Sequence, residues 1–230
     1  MWPMIGDIYQ RLYREYGPQG WWPLVSLTGN NPTKSGSVQG YHPGRYDYPK
    51  SRNQRFEICV GAILTQNVGW VNVEKALLAL RSRGALNPSG MDKMEDDELI
   101  DAIRPAGYYN QKAKKLRAFL DFFRDLRRRP TREELLSIWG IGKETADSML
   151  LYAYHVPIFV VDAYTRRIFG HLGLIDERMG YDEVRERIEQ GIERDHTIYQ
   201  EFHALLVEHA KWYYSKRPYG EGCFLKTLKT

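Results

Sequence analysis

Two glycines and an aspartate are the residues of this chain with the most chemistry to offer. Gly140 and Gly142 bracket Ile141 in the run Leu135-Leu-Ser-Ile-Trp-Gly-Ile-Gly-Lys-Glu-Thr-Ala146, and Asp162 follows in Phe159-Val-Val-Asp-Ala-Tyr-Thr-Arg-Arg167. A Gly-x-Gly turn between two helices lets the backbone fold tightly and approach another surface closely. The amides that open the second helix lack intrahelical acceptors, so they can donate to an anion such as a phosphodiester. The same turn also serves an ordinary pair of antiparallel helices. Asp162, directly before Ala163-Tyr164, has the type and position of a helix N-cap. Trp21-Trp22-Pro23 and Trp70 supply large π-faces that either fill a core or stack on a planar ligand.

The elements that must position these groups are helical. From Phe56 the apolar residues Cys59, Val60, Ile63 and Leu64 follow the stripe of an amphipathic helix, and so do Ala113, Leu116, Leu120 and Phe123. The same period runs through Ala146, Met149, Leu150 and Ala153, and through Ile198, Phe202, Leu205, Leu206 and His209. Thr131 with Glu134 predicts a capping box and hence a helix start. Strand-like alternation is scarce, so an all-α fold is expected. Residues 24–53, rich in Gly, Ser, Asn, Pro and Tyr, predict a long loop, either functional or disordered.

Composition bounds the function without choosing it. The 230 residues can bury one core, with two lobes as the expected arrangement. The 33 Lys and Arg against 29 Asp and Glu leave a net charge of +4, a mild tilt toward polyanions. Cys59 and Cys223 make neither a disulfide framework nor a thiolate metal site, and the six histidines lack zinc-ligand spacing. No apolar run approaches the roughly 20 residues of a membrane span, and no export signal is visible, so a soluble cytoplasmic monomer is expected.

The hairpin run, with Pro157 and Asp162 after it, resembles the helix-hairpin-helix, Gly/Pro-rich loop and aspartate signature of the endonuclease III superfamily of DNA glycosylases. Gly61-Ala-Ile-Leu-Thr-Gln-Asn67 and Gly107-Tyr-Tyr-Asn-Gln-Lys-Ala113 are similar to two further family segments, in the same order. The resemblance covers about residues 56–209. It implies a two-lobed helical fold with the active site in the interlobe cleft. One lobe would comprise residues 54–155, with the hairpin at 131–153; the other would be formed by 1–53 and 156–230. It implies that Gly140, Ile141, Gly142, Lys143 and Thr145 grip double-stranded DNA, that Gln66 and Asn67 enter the space left by a flipped base, and that Na+ or K+ binds at the carbonyls of Leu136, Ile138 and Ile141. Asp162 becomes the essential carboxylate: cleaving a base from deoxyribose develops positive charge on the sugar, which a fixed carboxylate opposes.

Two departures narrow the class. Members that nick DNA carry a Schiff-base lysine just before the Thr-Ala pair of the second hairpin helix, where this chain has Glu144. Lys143 is adjacent, but one residue on a helix turns a side chain through about 100°. Most relatives end in four cysteines holding an iron–sulfur cluster, whereas only Cys223 stands in that region, so no cluster is expected. The closest resemblance is to the cluster-free bacterial 3-methyladenine DNA glycosylases, whose base pocket would map onto Trp21, Trp22, Pro23, Trp70 and Glu144; Leu205 stands where they bury a lysine. Two indoles sandwiching a cationic purine would select for charge. The expectation is a monofunctional glycosylase for alkylated purines. A bifunctional lyase and a non-catalytic DNA-binding hairpin protein are the alternatives. Lys112, Lys114, Lys115, Arg117 and Arg127 to Arg129 form the densest basic run, readable as phosphate contacts or as a solvated face.

Overall fold

The computed structural model describes residues 5–29, 31–32 and 39–228. Among them are eleven α-helices and no strand beyond an isolated bridge at Gln39. In chain order they are α1 (Ile5–Tyr16), α2 (Arg52–Leu64), α3 (Trp70–Ser82), α4 (Pro88–Asp92), α5 (Asp96–Ile103), α6 (Tyr109–Asp125), α7 (Arg132–Ser137), α8 (Lys143–Ser148), α9 (Ala163–His171), α10 (Tyr181–Gln190) and α11 (His196–Tyr213). The chain is all-α, as its periodicities predict.

α2 is the central helix. Ser51 caps it by accepting the Gln54 amide at 3.2 Å, and every residue from Phe56 through Leu64 is buried. A helix apolar all round needs neighbours all round, and α2 has them in α3, α6, α8 and the turn after α8. The helix starts at Arg52, so the last two residues of the expected loop are helical instead.

α6 replaces a predicted surface cation with a core one. Lys112 is buried, and its ammonium donates to Leu64 O at 2.7 Å and Ala106 O at 2.8 Å. Burial and the nearby Lys115 lower its pKa to about 8. It satisfies carbonyls at the end of α2 and in the turn before α6, so it belongs to the scaffold and not to the basic face. Arg117 is similarly engaged, with Met91 O at 2.7 Å and Asp96 at 2.9 Å.

The hairpin is α7, the turn 138–142, and α8. Its capping box forms as predicted: Thr131 Oγ1 accepts the Glu134 amide at 3.2 Å, and Glu134 accepts the Thr131 amide at 2.8 Å. α8 loosens into one π turn, Met149–Ala153, where the periodicity predicts unbroken helix. The Arg132 guanidinium grips the fully buried Asp147 with two bonds, at 2.6 and 3.0 Å, and Asp182 of α10 with a third at 2.9 Å. This fork locks the two hairpin helices to each other and to α10.

The described part of the long loop is a packed strap held by two buried carboxylates. Glu57 of α2 accepts the Val25 amide at 2.5 Å; Glu201 of α11 accepts the Gln19 amide at 2.5 Å and the Tyr46 hydroxyl at 2.8 Å. Gly40 (φ +83°) lies against Leu24, where a Cβ would stand 2.3 Å from Leu24 O. Asn30 and residues 33–38 lie outside the described residues. Among the described residues no helix is long and apolar enough to cross a membrane.

Candidate active site

The strap, the end of α2, α3, α8, α9 and α11 enclose a cleft of about 720 Å3, and Asp162, Glu144, His203, Trp21, Trp22 and Trp70 all line it. Asp162 caps α9. Its Oδ1 accepts the Thr165 amide at 2.7 Å and the Thr165 hydroxyl at 2.8 Å. Its Oδ2 lies 3.7 Å from His203 Nε2, and the side chain keeps 15% of its surface exposed. The N-cap and the cleft carboxylate are therefore one residue using two oxygens. Burial raises its pKa, but His203 and the two Thr165 donors outweigh that and hold it below the ordinary value.

Glu144 is pushed the other way. Glu144 is exposed at the cleft, yet desolvation by the cleft walls raises its pKa and Asp162's charge adds to it, against a smaller lowering by His203. Two carboxyls with diverging affinities on one cleft are what acid–base division of labour requires. Lys143 points elsewhere, bonded to Asp182 at 2.5 Å.

The aromatic wall is closed on itself. Trp21 and Trp70 centroids are 4.8 Å apart at 64°, and Trp22 meets Trp70 at 5.2 Å and 89°. A plate sandwiched between two rings needs about 7 Å, two van der Waals spacings of about 3.5 Å each. The expected sandwich is therefore not preformed: Trp70 stands edge-on to both Trp21 and Trp22. The indole N–H groups of all three tryptophans are buried with no acceptor among the described residues, so the wall holds unspent donors as well as π-faces. Gly61 of α2 seats Trp22: a Cβ there would stand 3.0 Å from Trp22 Nε1. Pro23 is buried and does not line the cleft.

Gln66 and Asn67 lie on the turn after α2, at the cleft mouth. Gln66 is engaged by the hairpin, donating to Gly140 O at 3.2 Å and Thr145 Oγ1 at 3.0 Å, and it accepts from the Lys115 ammonium. These bonds hold Gln66 against the hairpin. Asn67 is exposed in the left-handed region at φ +57°. In the hairpin turn the Ile141 amide donates to Ile138 O at 3.1 Å, and Gly142 carries open space where a Cβ would go.

Sequence reasoning missed several residues. Trp139 at the hairpin tip is 56% exposed, and Tyr108, at φ +46° before α6, is 72% exposed. Both are large aromatics exposed on turns, and Trp139 adjoins Gly140, whose carbonyl Gln66 engages, which makes them candidates for a contact surface. The partnership of His203 with Asp162 also went unread, because a lone histidine on an apolar helix face carries no signal.

The comparisons with known proteins agree with this geometry. Residues 60–194 match the HhH-GPD superfamily of base excision DNA repair proteins. A Methanocaldococcus jannaschii protein named as a candidate DNA repair glycosylase is 40% identical over 235 residues, covering 97% of this chain and 94% of its own. The H. pylori 3-methyladenine DNA glycosylase, solved with 1,N6-ethenoadenine bound, is 30% identical with a TM-score of 0.62, covering 73% of this chain and 92% of that one. Endonuclease III trapped as a covalent intermediate on DNA shares the fold, with a TM-score of 0.73 at 18% identity over 97% of this chain and 93% of its own. The chain belongs to the HhH-GPD superfamily and is a base excision DNA repair glycosylase.

Proposed function

We propose that this protein is a monofunctional DNA glycosylase that hydrolyses the N-glycosidic bond of alkylated purines such as 3-methyladenine. The observation that carries the reading is Asp162, the cleft carboxylate whose pKa is held below the ordinary value, on one wall of a cleft whose other wall is tryptophan. As the bond from C1′ to the base breaks, its electron pair leaves with the base and positive charge grows on the sugar. Asp162 opposes that charge in a water-poor site, where one preorganised group is commonly worth a hundredfold or more. A cationic purine departs neutral and needs no proton. Water then adds to C1′, its proton passing to Asp162 or to solvent.

The wall selects the base. Once Trp70 swings clear, Trp21 or Trp22 and Trp70 offer faces to a flipped purine, and a cationic ring gains cation–π attraction beyond stacking. The 3-methyladenine activity in the name of the H. pylori enzyme supports this class. Glu144 at the place of the lyase lysine, with Lys143 paired to Asp182, supports a hydrolytic enzyme. The hairpin grips the DNA backbone through Gly140, Ile141, Gly142, Lys143 and Thr145. A cation at the hairpin would rest on the carbonyls of Leu136, Ile138 and Ile141, which suit an alkali ion; among the described residues no group of three or more His, Cys, Asp or Glu could hold a metal.

A second reading has one specific support. Lys211 of α11 lines the cleft, paired with Glu208 at 2.9 Å, and is the amine a lyase would use. Both readings are tested together by assaying bases released from methylated, deaminated and oxidised duplex DNA, with borohydride present on abasic DNA. Release of 3-methyladenine without a trapped covalent adduct is expected. A trapped adduct lost in Lys211→Ala establishes the lyase, and release confined to oxidised or deaminated bases overturns the alkylated-purine assignment.

A further inference from the structure

His203 is buried, yet it has a different partner at each nitrogen. Nδ1 stands 2.7 Å from the hydroxyl of Tyr152, in the π turn after α8. Nε2 is buried, makes no hydrogen bond, and has Asp162 Oδ2 at 3.7 Å. Tyr152 in turn has two acceptors for its one proton, His203 Nδ1 and the Gln200 carbonyl at 3.3 Å. The ring is fully enclosed beneath Trp22, with centroids 5.3 Å apart, so the hydroxyl can reach only these protein partners.

These contacts define two states. With the Tyr152 hydroxyl donating to Nδ1, the imidazole is neutral and carries its one hydrogen on Nε2, facing Asp162. With the Tyr152 proton turned to Gln200 O, the hydroxyl oxygen accepts Nδ1–H. The imidazole can then hold protons on both nitrogens and stand as a cation against the carboxylate. We propose that His203 is a positioning residue for Asp162: with Tyr152 it forms a relay that leaves the carboxylate charge available to the sugar when the imidazole is neutral and cancels that charge when it is protonated.

This inference rests on the proposed role of Asp162. The charged and titratable groups around the imidazole are Asp162 before α9, and Glu144 and Tyr152 on the α8 side. Glu201, on its own helix, is engaged with Gln19 and Tyr46. Arg167 and Lys211 line the same cleft and disfavour a further positive charge. Asp162, with Oδ2 3.7 Å from Nε2, is the carboxylate within ion-pair distance of the imidazole, so it is the anion the imidazolium meets. A charged His203 would form a close ion pair with Asp162, and a paired carboxylate presents little net field to an oxocarbenium ion.

The consequence is an acid limb in the pH dependence of base release, belonging to the His203–Asp162 pair and not to either group alone. The experiment is single-turnover release of 3-methyladenine from methylated duplex DNA between pH 4.5 and 8.5, for wild type, His203→Gln, His203→Leu and Tyr152→Phe. DNA affinity and melting temperature are measured for each. His203→Gln keeps a donor toward Asp162 but cannot be charged, so its acid limb should move down by about one pH unit or more while the rate at pH 8 stays within about fivefold of wild type. Tyr152→Phe leaves Nδ1 without an acceptor for a second proton and should move the limb the same way. His203→Leu should lose about tenfold at pH 8 with DNA affinity unchanged, a loss that Gln restores.

Wild-type pH profiles in both the Gln and Phe variants overturn the relay. Should His203→Gln fail to fold, Tyr152→Phe alone decides the matter. Asp162→Asn, run alongside, separates the two levels: if it remains active, the reading of Asp162 fails and the relay with it, whereas an inactive Asp162→Asn beside unshifted His203 and Tyr152 variants overturns the relay only.

Discussion

α11 carries two buried histidines, six residues apart, and they are used in opposite ways. They stand ~9 Å along the helix and ~240° around it. His209 sits in a closed polar knot: Tyr16 OH is 2.9 Å from Nδ1, Cys223 Sγ is 3.1 Å from Nε2, and Tyr214 donates to the same sulfur at 3.4 Å. A neutral imidazole accepting from Tyr16 and donating to Cys223 satisfies both nitrogens, and no carboxylate is needed. His203 faces a carboxylate with a nitrogen left over. A satisfied buried histidine is scaffold, while an unsatisfied one opposite a carboxylate on a cleft marks chemistry. The knot is packed by the Tyr16, Tyr213 and Phe224 rings around His209.

The largest effect that would break this contrast lies on the cleft side. Asp162→Asn should lower single-turnover base release by about a hundredfold or more while lesion binding is retained, because the amide keeps the shape and the Thr165 contacts but not the charge. Near-normal release would reduce Asp162 to its cap of α9. The variant should melt close to wild type, since asparagine caps helices about as well as aspartate.

On the knot side the effect should appear in stability and not in rate. Burial lowers the His209 pKa to about 4. A base with a depressed folded pKa stabilises the fold fully above its unfolded value, near 6.5, and loses that contribution as pH falls toward 4. The loss is about 3 kcal/mol at most. Glu57 works in the opposite sense: raised to about 7 by burial, it costs stability as pH rises from its unfolded value toward 7. The His209 contribution is therefore read as the difference between wild type and His209→Leu in denaturant melts from pH 7 to pH 4. The gap should close on acidification, with base release at pH 8 unchanged. A gap independent of pH would mean that His209 does not titrate in the fold.

The aromatic wall sharpens the contrast further, because its tryptophans are half core and half site. Trp70→Ala should cost about 1–3 kcal/mol in recognition of a cationic lesion and less for a neutral one such as hypoxanthine. Equal single-turnover excision of both lesions by wild type and variant would return the tryptophans to the core.

Much of this was legible in the sequence because it rests on periodicity and local chemistry. The helical stripes, the Thr131–Glu134 box and the Gly-x-Gly turn need no tertiary information, and the family motifs carried Asp162 and Gln66. What escaped depends on long-range contacts. Lys112 reads as a surface cation until the ends of α2 and α6 meet and leave carbonyls for its ammonium. Glu57 and Glu201 look like ordinary helix-face carboxylates, yet each is turned inward by an amide of a distant strap. The closed packing of Trp21, Trp22 and Trp70 could not be read from adjacency, since two neighbouring indoles can splay or meet.

The smallest effect concerns the two glycines of the hairpin, which the sequence treats alike and the structure does not. Gly140 has φ +82°, and a Cβ there would stand 2.6 Å from the Lys115 side chain, so its replacement strains the fold itself. Gly142 has φ −94° and no atom within 4 Å of an added Cβ. The free protein therefore has no use for a glycine at 142, and the need for one arises only when another surface comes close. Gly142→Leu should melt like wild type and bind duplex DNA several-fold more weakly, by about 1 kcal/mol. The loss should be the same for undamaged and damaged sequences, because contacts to phosphate carry no base information. Fluorescence anisotropy on three unrelated duplexes, with and without a lesion, measures it. Unchanged affinity, or a loss confined to damaged DNA, would mean that the backbone at Gly142 does not approach the phosphates and that the hairpin grips DNA through some other part of its turn.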